Sequence, residues 1–133
     1  MKKIILIMLV IFTAVSVNIF AEELTARKNT VSINFDFTKK FGLASNQFAV
    51  WVENGKGMLV KNLFVTDFTA RKGWEKRPES LPSWRKAVKD ANIDGISSAT
   101  PKSGKFQLQW DIKNEDGTPV EKGIYKVFIE AKW

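Results

Sequence analysis

Apolar residues recur at every second position in three segments of the chain. The apolar positions of the first segment are Val31, Ile33, Phe35 and Phe37. Those of the second are Phe106, Leu108, Trp110 and Ile112, and those of the third are Tyr125, Val127, Ile129 and Ala131. Successive side chains of a strand point to opposite faces of the sheet, so a period of two predicts strands with one buried and one solvated face.

Two longer apolar runs, residues 48–52 and 58–65, flank a short turn. The turn, residues 53–57, contains two glycines and one asparagine, which suit the positive-φ positions of a hairpin. A second turn, residues 114–119, separates the last two alternating segments. Short strands joined by such turns favour an all-β fold, a small antiparallel β-sandwich. The side chains expected in its core are Phe35, Val50, Leu108, Trp110, Val127 and Ile129.

One helical insertion, about residues 67–103, interrupts the strand pattern. Apolar residues recur there at helical spacing: Leu81, Trp84, Val88 and Ala91. Ser80 is the predicted N-cap of this helix, and Pro82 lies in its first turn. We expect the apolar stripe to dock the helix on the sandwich and the insertion to cross one end of the sandwich.

The first 21 residues have the features of a secretory signal peptide. Lys2 and Lys3 precede an apolar run, residues 4–17, and Ala21 stands before an acidic pair at the expected cut. The run is shorter than the ~20 residues that a membrane-spanning helix needs. We predict cleavage after Ala21, one β-sandwich domain over residues 22–133, no transmembrane segment after cleavage, and a periplasmic or secreted location. An uncleaved anchor is the alternative.

Composition narrows the chemistry further. The 133 residues include no Cys and no His, so disulfides, thiolate metal sites, imidazole bases and the triads built on them are excluded. Without either residue type no nucleophile–base pair for a hydrolase can be named, and we expect a non-catalytic protein. The acidic cluster around residues 111–116 lacks the ligand spacing of a calcium loop, so no metal site is predicted.

An exported protein does not meet chromosomal DNA, so binding of nucleic acid does not explain the formal net charge of +7. Anionic lipid, wall polymers and acidic redox proteins are candidates, and solubility alone is the simplest explanation.

One short segment, residues 94–100, carries candidate chemistry, and we refer to it as the motif loop. It resembles the flavinylation motif Asp-x-x-Ser/Thr-Gly-Ala-Thr of proteins that carry covalent FMN. The resemblance implies that Thr100 is the FMN acceptor, that Asp94 is the motif acid, and that Ser97 and Ala99 flank the acceptor. Ser98 stands where the motif usually has Gly. In that family a separate magnesium-dependent flavin transferase takes FMN from FAD and joins its phosphate to the threonine.

The motif also makes physical sense. An acceptor hydroxyl must reach a diphosphate inside the active site of another protein, so its loop must be exposed and its neighbours small. Pro101 keeps Thr100 out of the helical region. If position 98 needs a positive φ, Ser98 costs about 1 kcal/mol there. Two tryptophans, Trp74 and Trp84, are candidates for stacking on the flavin ring. Five basic residues are candidates for neutralising its phosphate: Lys72, Arg77, Arg85, Lys86 and Lys102.

A wider resemblance covers the chain from Phe48 to its C-terminus. In order, the matching segments are residues 48–54, 60–63, 81–84, 94–100, 104–111 and 117–125. They are similar to a family of predicted periplasmic proteins, a domain of unknown function. The closing segment is also similar to the immunoglobulin-like module of flagellar hook-capping proteins, which implies an immunoglobulin-like sandwich. Ile112 replaces the Gly that is usual after Trp-Asp, so the turn there is expected to differ.

Two functions remain open at this point. The first is an exported flavin carrier that passes electrons between membrane and extracytoplasmic redox partners. The alternative is a non-catalytic periplasmic binding or interaction module in which the same loop carries no cofactor.

Overall fold

Two β-sheets form the fold. The computed structural model describes residues 29–42, 46–89 and 101–132, together with the backbone of two strands at 2–8 and 97–98. The strands are β1 (Lys2–Met8), β2 (Val31–Phe37), β3 (Gln47–Asn54), β4 (Leu59–Thr66), β5 (Ser97–Ser98), β6 (Gly104–Trp110) and β7 (Tyr125–Lys132). The larger sheet has the order β1-β7-β3-β4-β5, and the smaller sheet pairs β2 with β6.

The pairing of the strands is antiparallel except at one edge. Residues of β2 pair with those of β6 from Val31↔Trp110 to Phe37↔Gly104, and β3 pairs with β7 along its whole length. The exception is β5, which pairs in parallel with the last two residues of β4. The prediction of a mostly β fold with two antiparallel sheets is therefore confirmed.

Apolar side chains from both sheets form the main core. Phe48 lies at its centre, with its ring centroid 4.8 Å from those of Phe37 and Phe64. Of the six residues expected in the core, Val50, Trp110 and Val127 are buried, whereas Phe35, Leu108 and Ile129 are half-buried. Phe35 and Leu108 belong to the smaller sheet, in which both strands are edges, and this explains their partial exposure.

The insertion packs on the outer face of the larger sheet, which differs from the predicted crossing at one end. It contains helix α1 (Asp67–Ala70), a 3₁₀ turn (Gly73–Glu75) and helix α2 (Pro82–Val88). A second apolar cluster joins the insertion to the strands through Leu81, Trp84, Val88, Ala49, Trp51, Val65 and Phe128. Both faces of β3 are therefore buried, which is the physical reason for the unbroken apolar run of residues 48–52.

The N-terminal segment contributes an edge strand to the larger sheet. Residues of β1 pair with β7 from Lys2↔Ala131 to Met8↔Tyr125. The predicted cleavage site after Ala21 lies outside the described residues and stays a prediction; cleavage there would remove β1 and leave β7 at the edge. No helix in the described part of the chain is long and apolar enough to cross a membrane.

Replacement of Trp110 by Ala tests the core. The indole is 1% exposed and lies against the Tyr125 ring, with centroids 5.5 Å apart, so we expect a loss of about 3–5 kcal/mol in the free energy of unfolding. Denaturant unfolding measures this loss of free energy. The matched control is Phe41→Ala, whose ring is 99% exposed and whose loss should stay within about 0.5 kcal/mol. Equal effects of the two changes would contradict the assigned core.

Candidate functional site

The motif loop reaches the edge of the larger sheet. Ser97 and Ser98 form β5 and pair with Val65 and Thr66 at the end of β4. Because β5 is the last strand in the sheet order, this part of the motif lies on an edge. Ser98 belongs to a strand, where the backbone is extended, so the strand geometry requires no glycine there. The other motif residues, Asp94, Ala99 and Thr100, lie outside the described residues, and their predicted roles stay predictions.

A buried network of polar side chains supports the sheet next to β5. The Gln47 side-chain oxygen accepts hydrogen bonds from the hydroxyls of Thr66 and, at 3.2 Å, of Thr69. The Thr69 and Ser80 hydroxyl oxygens are 3.0 Å apart and share a hydrogen bond. All four side chains are buried. The network joins the start of β3, the end of β4, α1 and the segment before α2, and so fixes the strand that β5 pairs with.

The first backbone N–H groups of α2 donate hydrogen bonds to a side chain of β7. Glu130, which is 1% exposed, accepts hydrogen bonds from the backbone N–H groups of Trp84 at 2.8 Å and Ser83 at 3.3 Å. These are donors that a helix cannot satisfy internally. The predicted N-cap at Ser80 is therefore wrong. The N-cap position is Leu81, which has a left-handed φ of 47° and makes no side-chain cap.

Trp84 is a core residue of the insertion. Its indole is 1% exposed, and its Nε1–H donates a hydrogen bond to the Asn62 side-chain oxygen at 3.1 Å. The expectation that Trp84 could stack on a flavin is therefore wrong, because no face of the ring is free. Trp74 is half-buried, 6.1 Å from Trp84 between ring centroids, with the Arg85 guanidinium 6.0 Å from its own centroid. Trp74 thus remains the candidate for ring stacking.

The insertion carries a basic surface. Residues 71–89 include seven Lys or Arg and two Glu. The five candidates for neutralising a phosphate are all exposed: Lys72, Arg77, Arg85, Lys86 and Lys102. The Arg77 guanidinium lies 5.8 Å from the centroid of the Phe68 ring, so part of this charge is positioned by aromatic contact. Exposed ammonium and guanidinium groups on this scale attract anions from solution without a fixed geometry.

Glu130 and Asn62 are residues that sequence reasoning missed. Glu130 occupies the polar phase of β7, where a charged side chain normally faces water. Asn62 shares its phase in β4 with the buried residues Val60 and Phe64, but an amide side chain is not expected in a core. A weak signal was present in β7, because Phe128 occupies the same phase as Glu130 and is itself buried. An apolar aromatic in the polar phase indicates that this face of the strand is covered as well. The covering element could not be identified from the strand alone.

Comparison with known proteins gives one match. The sequence model of a protein family described as "Predicted periplasmic protein (DUF2271)" matches residues 28–133. No curated protein and no solved structure matches the chain significantly. Among the residues that the structure describes, no group of three or more His, Cys, Asp or Glu side chains could hold a metal ion.

Replacement of Glu130 by Ala tests how the insertion is held. The change leaves the buried N–H groups of Ser83 and Trp84 without their acceptor, so we expect a loss of about 2–4 kcal/mol in the free energy of unfolding. Glu130→Gln keeps one acceptor oxygen and should cost less. The matched control is Glu79→Ala, an exposed glutamate of the same insertion, whose effect should be within about 0.5 kcal/mol. A Glu130→Ala protein as stable as this control would show that the two hydrogen bonds do not hold the helix.

Proposed function

Because the chain belongs to the family of predicted periplasmic proteins (DUF2271), we propose that it is an exported flavin carrier with FMN joined covalently to Thr100. In this proposal it passes electrons between membrane and extracytoplasmic redox partners. The observation that carries the proposal is the register of β5, because Val65↔Ser97 and Thr66↔Ser98 fix two residues of the motif on a sheet edge. β5 ends at Ser98, two residues before the proposed acceptor in the sequence.

The attachment reaction fits an acceptor in such a position. The Thr100 hydroxyl oxygen forms a bond to the phosphorus on the FMN side of FAD, and the bridging P–O bond of the diphosphate breaks. AMP leaves with the bridging oxygen, and the threonine proton passes to a base of the flavin transferase. The transferase and its magnesium ion supply the catalysis. This chain supplies a hydroxyl on a segment that follows an edge strand supported by the buried Gln47–Thr66–Thr69 network.

The described residues of the insertion carry groups that suit a flavin phosphate and ring. The exposed cations of residues 71–89 outnumber the two glutamates there, so the insertion attracts anions. Trp74 offers a half-buried aromatic ring beside the Arg85 guanidinium. FMN supplies reversible electron acceptance when it is bound, and the protein supplies position and electrostatics. Carboxylates on an acidic redox partner would pair with the same basic surface, which supports the proposed electron exchange.

The proposal also includes a more specific class for the fold. We propose that the two sheets form an immunoglobulin-like sandwich, as the similarity of residues 104–125 to the hook-capping module implies. The support is the main core, to which β2 and β6 on one side and β3, β4 and β7 on the other contribute side chains.

Intact-mass measurement tests the flavin proposal directly. The protein is produced with its export signal in cells that also produce a working flavin transferase, and the intact mass of the purified protein is measured. We expect one FMN adduct on the wild type and none on Thr100→Ala, because the acceptor oxygen is gone. Thr100→Ser keeps a hydroxyl and should retain part of the adduct, and Asp94→Ala should lower the modified fraction. The matched control is Thr38→Ala, an exposed threonine outside the motif, which should carry the adduct like the wild type.

The negative result is equally informative. A wild-type mass without the adduct, from cells in which the transferase modifies a known acceptor protein, would contradict the flavin proposal. The protein would then be the alternative, a periplasmic binding module whose motif loop carries no cofactor. An adduct that persists in Thr100→Ala would place the modification on another residue and contradict the assignment of the acceptor.

A further inference from the structure

A cavity of about 850 Å³ lies at the C-terminal end of β6. β6 begins at Gly104, shortly after the motif, and ends at Trp110, which lines the cavity. Leu63, which lines the cavity, packs against the main core, whereas Val65, which pairs with Ser97, packs in the second cluster on the other face of the sheet, so the cavity and β5 are separate. The volume is in the range of roughly 300–1,000 Å³ that is typical of small-molecule sites.

The inner wall of the cavity is apolar. It is built from β4, the end of β6, the start of β7 and the connection between the last two strands. The apolar and aromatic side chains that line it are Leu63, Trp110, Ile112, Val120 and Tyr125. Burial raises the pKa of the Tyr125 hydroxyl above its ordinary value of 10.0, and the Glu121 carboxylate adds to the rise. The phenol is therefore neutral at physiological pH, and the wall remains uncharged.

Hydrogen bonds within the protein hold this wall in place. The Trp110 Nε1–H donates to the Lys113 carbonyl at 2.9 Å, and the Val120 N–H donates to the Ile112 carbonyl at 3.2 Å. The connection is also joined to β4, because the Glu115 N–H donates to the Val60 carbonyl at 2.9 Å and the Glu115 carboxylate accepts from the Asn62 N–H. The cavity is thus preformed, which lowers the entropic cost of binding.

Ile112 adopts an unfavourable backbone conformation at this wall. Its φ is 55°, a left-handed value that a β-branched residue adopts at an energetic cost and that glycine adopts freely. The side chain is half-buried and lines the cavity. Strained residues of this kind are found where the side chain serves a site. The strain at Ile112 is explained if its side chain is needed to shape the cavity.

The charges around the cavity favour an anion at one position. Four charged lining residues are exposed and balance one another: Asp111, Lys113, Glu121 and Lys122. Lys61 is different, because its side chain is 25% exposed and its ammonium is 3.9 Å from the Glu115 carboxylate, the outer limit of an ion pair. Hydrogen bonds from Thr118 lower the pKa of the Asp116 carboxyl, and the charge of Lys61 adds to this effect, so Lys61 has a second carboxylate nearby. The partly shielded charge that lines the cavity is therefore a cation whose one ion pair is long.

We propose that this cavity binds a small amphipathic anion, with an aliphatic or aromatic body and one carboxylate. The body lies against Ile112, Val120 and Tyr125, and the carboxylate pairs with the Lys61 ammonium. This site is independent of the flavin proposal, because none of its residues belongs to the motif loop or to the insertion.

Calorimetric titration of the exported protein with decanoate tests the proposal, with decanol as the neutral probe of equal chain length. We expect saturable binding of one decanoate per chain, and weaker binding of decanol. Lys61→Gln should weaken decanoate binding about tenfold and leave decanol binding unchanged, because the carboxylate loses its cation. The matched control is Lys39→Gln, an exposed lysine outside the cavity with the same change in charge, which should bind both probes as the wild type does.

Ile112→Gly separates a binding role from a structural one. The change relieves the left-handed strain, so the unfolding midpoint should fall little or rise, whereas both decanoate and decanol should bind several-fold more weakly. Absence of saturable decanoate binding to the wild type would overturn the proposal. Decanoate binding that Lys61→Gln and Ile112→Gly leave unchanged would place the site elsewhere, and equal wild-type affinity for decanol would overturn the assignment of an anion.

Discussion

The position of the insertion on the larger sheet depends on the hydrogen bonds that the buried Glu130 carboxylate accepts. Helix α2 has seven residues and could not persist alone in water, because so short a helix gains too few hydrogen bonds. Its first N–H groups find their acceptor on β7, across the second apolar cluster. Burial of a carboxylate is costly, and two N–H groups at a helix start compensate part of that cost. The pair of hydrogen bonds therefore fixes which face of the sheet the helix covers.

Burial of β3 on both faces follows from that contact. Once α2 covers the outer face, Trp51 packs in the second cluster while Phe48 and Val50 pack in the main core. The insertion then returns to the sheet at β5, beside Val65 and Thr66. The chain thus reaches β5 through the insertion that Glu130 holds on the sheet. The cavity at the far end of β6 depends on another set of contacts, those between Glu115 and β4.

The sequence predicts the strands and helices of this fold better than it predicts how they pack on one another. Period-two alternation correctly predicted β2, β6 and β7, and the apolar runs predicted β3 and β4. The helix at Trp84 was also predicted, but its place on the outer face was not, because Glu130 looks like a solvated strand residue until its helical partner is known. The continuous apolar run of residues 48–52 does indicate that β3 is covered on both faces, because a strand with one solvated face would alternate apolar and polar residues. Of the candidate site, the sequence predicted the motif and the basic residues, whereas the cavity arises from long-range contacts that no local pattern shows.

Amide hydrogen exchange at Trp84 tests the central claim most directly. The Trp84 N–H lies in the first turn of α2, where an uncapped amide exchanges almost as fast as one in a loop. If the Glu130 carboxylate holds the insertion on the sheet, this amide should be protected to a degree similar to that of the β3 amides, and Glu130→Gln should lower its protection more than theirs. A Trp84 amide that exchanges at the rate of an open loop, in a protein whose β3 amides are well protected, would contradict the account.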